Sequence, residues 1–222
     1  MKKIFGIVVL VIIIVLGLSS QFFIRVKINC KSQYGDCPKS VLEKMLVIND
    51  KSLSRAKRGV KKILANEFLI SDYSVQYKIP NILHVELLVK KPTIALRNIN
   101  SGVLALFDSD GKVLSYASES AFPIIIFNEN LPKEGENVGK TVLFVSKIAG
   151  GVYQMYQVKD FLIQDDSLLV ELPGQFKVIF PLDGDAQILL GSLKLIYSNI
   201  QNGDNIGKYR EVDLRFTNPV LR

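Results

Sequence analysis

The sequence predicts an α+β protein: a single N-terminal transmembrane helix, a β-α-α-β-β unit, then a β-rich domain with flanking helices. Three observations carry this expectation. An uncharged stretch runs from Ile4 to Ile24; apolar residues recur at helical spacing between Val41 and Leu64; and short apolar runs bounded by Gly, Pro, Asn and Asp fill most of the remainder. At 222 residues the chain is long enough for one large domain or two small ones.

The first element is the apolar run. Ile4 to Leu18 holds no charged or amide side chain, and the uncharged stretch continues to Ile24 before Arg25, matching the roughly 20 residues a helix needs to cross a bilayer. Residues 4–24 are therefore expected to span the membrane and contact lipid. Lys2 and Lys3 mark residues 1–3 as the cytoplasmic end, which places the rest outside the cytoplasm. A cleaved signal peptide is the rival reading, since Gly17-Leu18-Ser19-Ser20 offers small residues; the long apolar core and the lack of an A-x-A pattern favour an uncleaved anchor.

Residues 25–91 form the next expected domain. FIRVKIN reads as a strand, and the loop NCKSQYGDC follows, in which Cys30 and Cys37 are candidates for a local disulfide in an oxidising compartment. Closing so short a loop stabilises by about 2.5 kcal/mol in the chain-entropy model. Pro38-Lys39-Ser40 can open a helix with Val41, Leu42, Met45 and Leu46 on one face, and a second helix carries Leu53, Ala56, Val60, Ile63 and Leu64 in a stripe, ended by Asn66. Two β-rich runs follow, with Tyr73, Val75 and Tyr77 alternating in one and Leu83, Val85 and Leu87 in the other, joined by Pro80-Asn81.

Lys90-Lys91-Pro92 punctuates the chain, and residues 92–222 form the second expected domain. TIALRN, VLALFD and KVLSY are short strands, with Asp108-Ser109-Asp110-Gly111 as a turn; PIIIF reads as a buried strand. Val138 to Gln157 is a helix candidate weakened by Gly150-Gly151. SLLVEL and FKVIF flank Pro173-Gly174 as a hairpin, Asp185 can cap a helix running through Gln201, and Asn202-Gly203 can end it. REVDLRF is the closing strand.

The residues offer little material for catalysis. The formal net charge is +7, with basic residues concentrated from Lys51 to Lys62; that run reads as the wet face of a helix more readily than as a site for anionic lipid or polymer, and no interleaved aromatics suggest nucleic acid. His84, the only histidine, is expected to be a partly solvated strand residue opposite Leu83, Val85 and Leu87. Two cysteines and one distant histidine do not make a zinc site. Ser146 and Lys147 are adjacent on a helix and point apart, while Asp108, Asp110, Asp165 and Asp166 read as turn residues lacking the spaced ligands of a calcium loop. No Gly-rich phosphate loop or G-x-S-x-G occurs. The expectation is no enzyme, no cofactor, no metal, no nucleic acid and no small-molecule substrate. The lack of a glutamate in the apolar run also argues against a pilin.

This order of elements resembles the FtsQ/DivIB family of bacterial cell division proteins. LHVELLVKKPTIAL is similar to that family's junction, LFDSDGKVLSY to its D-x-x-G-x-V hairpin, PIII to the following apolar strand, and GSLKLIYSNIQ with EVDLRF to its last helix and strand. Lys90 stands where the family often has glutamate, and the cysteine loop is a departure. The resemblance implies a POTRA domain over 25–91 and a β domain over 92–222. It further implies a non-enzymatic, septum-enriched divisome member that holds FtsB/DivIC-like and FtsL-like partners through its C-terminal strand.

Elementary strand physics is compatible with that role, because an edge strand leaves one row of N–H and C=O groups open to an extended partner. Alternation puts Val212, Leu214 and Phe216 on one face, as core anchors, and Glu211, Asp213 and Arg215 on the other; Pro219 is expected to end the pairing near Asn218. Arg215, Phe216, Thr217 and Asn218 are the candidate partner-binding residues. The rivals are a POTRA-type assembly or transport factor anchored outside the cytoplasm, which should continue into further repeats or a barrel, and a cell-wall enzyme.

Overall fold

A computed structural model describes residues 24–202 and 208–222. The chain divides into two compact units at Lys90 and Lys91.

The first unit is built from β1 (Lys27–Ser32), β2 (Gly35–Asp36), α1 (Lys39–Leu46), α2 (Leu53–Ala65), β3 (Ile70–Lys78) and β4 (Ile82–Val89). The sheet order is β2-β1-β4-β3, with β1 parallel to β4 and β3 antiparallel to it. Leu53, Ala56, Val60 and Leu64 are buried on α2 while Arg55, Lys57, Arg58, Lys61 and Lys62 are exposed, so the basic run is a solvated helix face. On α1 only Val41 and Met45 are buried; Leu42 and Leu46, expected on the same face, are exposed. The helix is a little over two turns long, too short to bury a wide stripe against one sheet. Lys44 Nζ donates to Glu67 Oε2 at 2.6 Å, tying α1 to the segment after α2. Cys30 and Cys37 are joined as a disulfide that closes the β1–β2 loop, Cα to Cα 5.7 Å.

The second unit contains β5 (Ile94–Asn98), β6 (Leu104–Phe107), β7 (Val113–Ala117), β8 (Ile124–Phe127), α3 (Lys140–Tyr156), β9 (Asp160–Gln164), β10 (Ser167–Leu172), β11 (Phe176–Pro181), α4 (Ala186–Asn202), β12 (Glu211–Asp213) and β13 (Val220–Leu221). They form a nine-stranded sheet in the order β13-β12-β11-β10-β9-β8-β5-β6-β7. Turn chemistry explains the hairpins. Asp108 Oδ1 accepts from the N–H groups of Asp110 and Lys112, at 3.0 and 2.9 Å, and Gly174 adopts φ +80 between β10 and β11. Asp185 Oδ1 caps α4, accepting from Gln187 N and Ile188 N at 2.8 and 3.2 Å.

Gly150-Gly151 does not break α3. A Cβ at Gly151 would collide with the Leu190 side chain of α4, so the bare glycine leaves room for that side chain. The core of this unit gathers Phe107, Ile125, Phe161, Leu168 and Phe180 from the sheet, Val145, Ile148 and Val152 from α3, and Leu193 from α4.

The expected fold class requires correction on two counts. First, among the described residues no helix is long and apolar enough to cross a membrane. The expected span over 4–24 lies outside the described residues except for Ile24, which is not helical and accepts Leu53 N–H at 2.8 Å. Second, the body is mixed α/β rather than strands with helices at the side. β5 and β8, β8 and β9, and β11 and β12 pair in parallel. The physical reason is connection length: α3 and α4 are the crossovers that return the chain to the same end of the sheet for β9 and β12, while β6, β7 and the segment after them do so for β8.

Candidate partner-docking edge

The closing segment is shorter and more folded than its alternation predicts. β12 pairs in parallel with β11 through Val178↔Val212 and Ile179↔Asp213, but ends at Asp213. Leu214 to Pro219 turns back, and Val220 and Leu221 then pair antiparallel with Asp213 and Val212. Arg222 completes the ladder: its N–H donates to Glu211 O at 3.0 Å and its carbonyl accepts from Glu211 N at 3.1 Å. The open side of β12 is therefore occupied by the same chain, and the edge of the sheet is β13. Pro219 does not end the pairing; it helps make the turn that begins it. Asn218-Pro219 before Val-Leu-Arg is the sequence signal that could have revealed this return.

The expected faces are also redrawn. Val212 and Leu214 are buried, as anchors should be, but Phe216 is 53% exposed because the chain has already left the sheet. Asp213, expected on the outer face, is fully buried. Its carboxylate is satisfied locally: Arg215 Nε donates to Oδ1 at 2.9 Å, Arg215 Nη2 to Oδ2 at 2.7 Å, and Arg215 N–H to Oδ1 at 3.1 Å. A two-pronged guanidinium–carboxylate pair of this kind is directional as well as charged. These bonds from Arg215 hold the Asp213 carboxyl below its ordinary range, against the opposing effect of burial. Arg215 Nη1 also reaches Ser167 Oγ at 3.2 Å, so Arg215 pins the turn to the start of β10.

Arg215, Phe216 and Thr217 line one hollow of about 460 Å³ together with Asp185, Ile188 and Leu189 at the start of α4. Asn218 is exposed in the same turn without lining it. The Arg215 guanidinium lies 5.9 Å from the centre of the Phe216 ring. Ile188 and Leu195 are 67% exposed on α4, so apolar surface continues beyond the hollow.

The other candidates do not converge. His84 is buried rather than partly solvated, with Nε2 3.1 Å from Glu86 Oε1. Ser146 donates to Leu143 O at 2.7 Å within its own helix. Asp165 and Asp166 take positive φ in the turn between β9 and β10. Among the described residues no group of His, Cys, Asp and Glu is placed to hold a metal ion. A larger hollow, about 890 Å³, is lined by residues such as Asn128, Glu129, Thr141 and Gln164, and neither histidine nor cysteine reaches it.

No protein-family model matches the chain, and no curated protein matches it in sequence.

Proposed function

We propose that this chain is a non-enzymatic division protein of the FtsQ/DivIB kind, acting outside the cytoplasm at the septum, with a POTRA-like first unit and a β domain as its second. Its role is to hold FtsB/DivIC-like and FtsL-like partners on the edge formed by β13 and the Leu214–Pro219 turn. The observation that carries this reading is the edge itself. Because Arg222 uses its N–H and C=O inward on Glu211, the alternation of a strand turns the N–H and C=O of Leu221 outward, where an extended partner segment can pair with them. The exposed Phe216 and the hollow against α4 belong to the turn that leads into β13 and would receive side chains from the same segment. The internal disulfide suits an oxidising compartment.

The test is a pull-down of the cognate FtsB/DivIC-like and FtsL-like pair by the full chain, alongside the position of a fluorescent fusion. Capture of the pair and a mid-cell band support the reading. Loss of capture on Phe216→Ala, with unchanged thermal melting, assigns the edge; a uniform fusion signal and no capture overturn the role.

A further inference from the structure

β3 is the other edge of the first unit's sheet, and no described strand pairs with its outer side. It is long, nine residues, and contains no proline and no lysine before Lys78 at its end. Edge strands are commonly guarded by such residues. After a bulge between Ile70 and Asp72, its register with β4 is unbroken from Asp72 to Lys78. Tyr73 N–H donates to its neighbour's Asp72 Oδ1 at 2.8 Å rather than to β4, so the backbone groups of Tyr73, and by alternation of Val75 and Tyr77, face the open side.

The seven residues DYSVQYK are self-complementary when reversed about their centre. An antiparallel pair of two such strands centred on Val75 sets Asp72 opposite Lys78, Tyr73 opposite Tyr77, and Ser74 opposite Gln76, each pair occurring twice. These are an opposite-charge pair, an aromatic pair and a hydrogen-bonding pair, the three kinds that favour cross-strand neighbours. Moving the centre to Ser74 or Gln76 removes the Asp–Lys match. Asp72 and Lys78 are exposed, and neither forms an ion pair with another described residue.

We propose that β3 is the seam of a homodimer, in which two copies of this chain pair these strands about a twofold axis through Val75 and join their four-stranded sheets into one. Tyr73 N–H then passes from Asp72 to the Tyr77 carbonyl of the second copy, which frees the Asp72 carboxylate for the second copy's Lys78. Such an interface is isologous and closes at two copies. It does not depend on the division role.

The test uses the purified full chain. In sedimentation velocity over a concentration series, the wild type shows a monomer–dimer equilibrium. Lys78→Glu and Asp72→Lys each place like charges opposite one another at both ends of the seam and raise the dimer dissociation constant at least about fivefold; the double variant Asp72→Lys/Lys78→Glu restores it. Register is read by cross-linking, since both native cysteines are consumed in the Cys30–Cys37 disulfide. Opposed residues lie about 5 Å apart at Cα, whereas two copies of position 74 lie about 8 Å apart, beyond a disulfide's reach. A mixture of Ser74→Cys and Gln76→Cys chains therefore cross-links, and each variant alone does not. A chain that stays monomeric across the series, a dimer indifferent to the charge reversals, or cross-linking of Ser74→Cys with itself would each overturn the proposal.

Discussion

Gly150 and Gly151 are neighbours in one helix, and the structure sets them in different surroundings, so alanine should stabilise more at the first than at the second. In a helix interior alanine is favoured over glycine by about 0.5–1 kcal/mol. At Gly150 an added Cβ meets nothing within 4 Å, so Gly150→Ala should realise that gain in full. At Gly151 the same atom would overlap Leu190 Cδ1 and lie 3.0 Å from Cδ2 and 3.2 Å from Cγ. The atoms in the way are the outer end of the half-buried Leu190 side chain, which must turn aside at the low end of the about 1–3 kcal/mol that overpacking costs. Set against the helix gain, Gly151→Ala should be near neutral, about 1 kcal/mol less stable than Gly150→Ala. Urea unfolding followed by circular dichroism reads the difference as displaced midpoints at constant slope. Adding Leu190→Ala to Gly151→Ala should cost less than the single changes imply, because the collision is gone. A Gly151→Ala midpoint at or above that of Gly150→Ala would refute the placement of Leu190 against Gly151.

Three further outcomes follow from the same geometry. Cys30→Ser should lower the stability of the first unit by about 2–3 kcal/mol under oxidising conditions, and the difference should vanish when a reductant is present; equal stability in both conditions would show that the bridge does not form. The Asp213 carboxyl is held below its ordinary value of 3.8, chiefly by the side-chain bonds from Arg215. Its contribution to stability is therefore present above that value and lost as pH falls through the lower folded value. Urea midpoints of wild type and Asp213→Asn should converge below about pH 4; a constant gap from pH 6 to pH 3 would contradict the ion pair. Phe216→Ala should leave the stability read by urea unfolding within about 0.5 kcal/mol of wild type, as for an exposed side chain, whereas a large loss of stability would place Phe216 in the core.

How much of this was legible depended on how local the determining forces are. The α2 stripe of Leu53, Ala56, Val60 and Leu64 and the turns at Asp108–Gly111 and Pro173-Gly174 follow from neighbours in sequence, and the structure places them as their patterns predict. Parallel pairing of β8 with β9, or of β11 with β12, leaves no such local mark. It depends on where α3 and α4 set the chain down, and both faces of β12 read as plausible until its neighbours are known. Alternation through Glu211–Phe216 therefore predicted a longer strand than the three residues that form, and mistook Asp213 for a solvated residue. A fully buried carboxylate two residues before an arginine has a local partner within reach, which is a signal that alternation alone ignores. Gly151 was read by propensity as a weakness, whereas its role is set by Leu190, a residue of another helix.

Whether the β13 edge holds the proposed partner is decided at Leu221. Replacing Leu221 by proline removes the one N–H that β13 turns outward, while the inward bonds of Arg222 to Glu211 remain. Calorimetric titration of the FtsB/DivIC-like partner into wild type and Leu221→Pro, with thermal melting as the control for folding, is the measurement. The expected result is an affinity lower by about tenfold or more, the cost of a lost hydrogen bond and a blocked strand approach, in a chain still folded at the titration temperature, although loss of the half-buried Leu221 side chain from the core lowers its melting point. Equal affinity in a folded Leu221→Pro chain would contradict it.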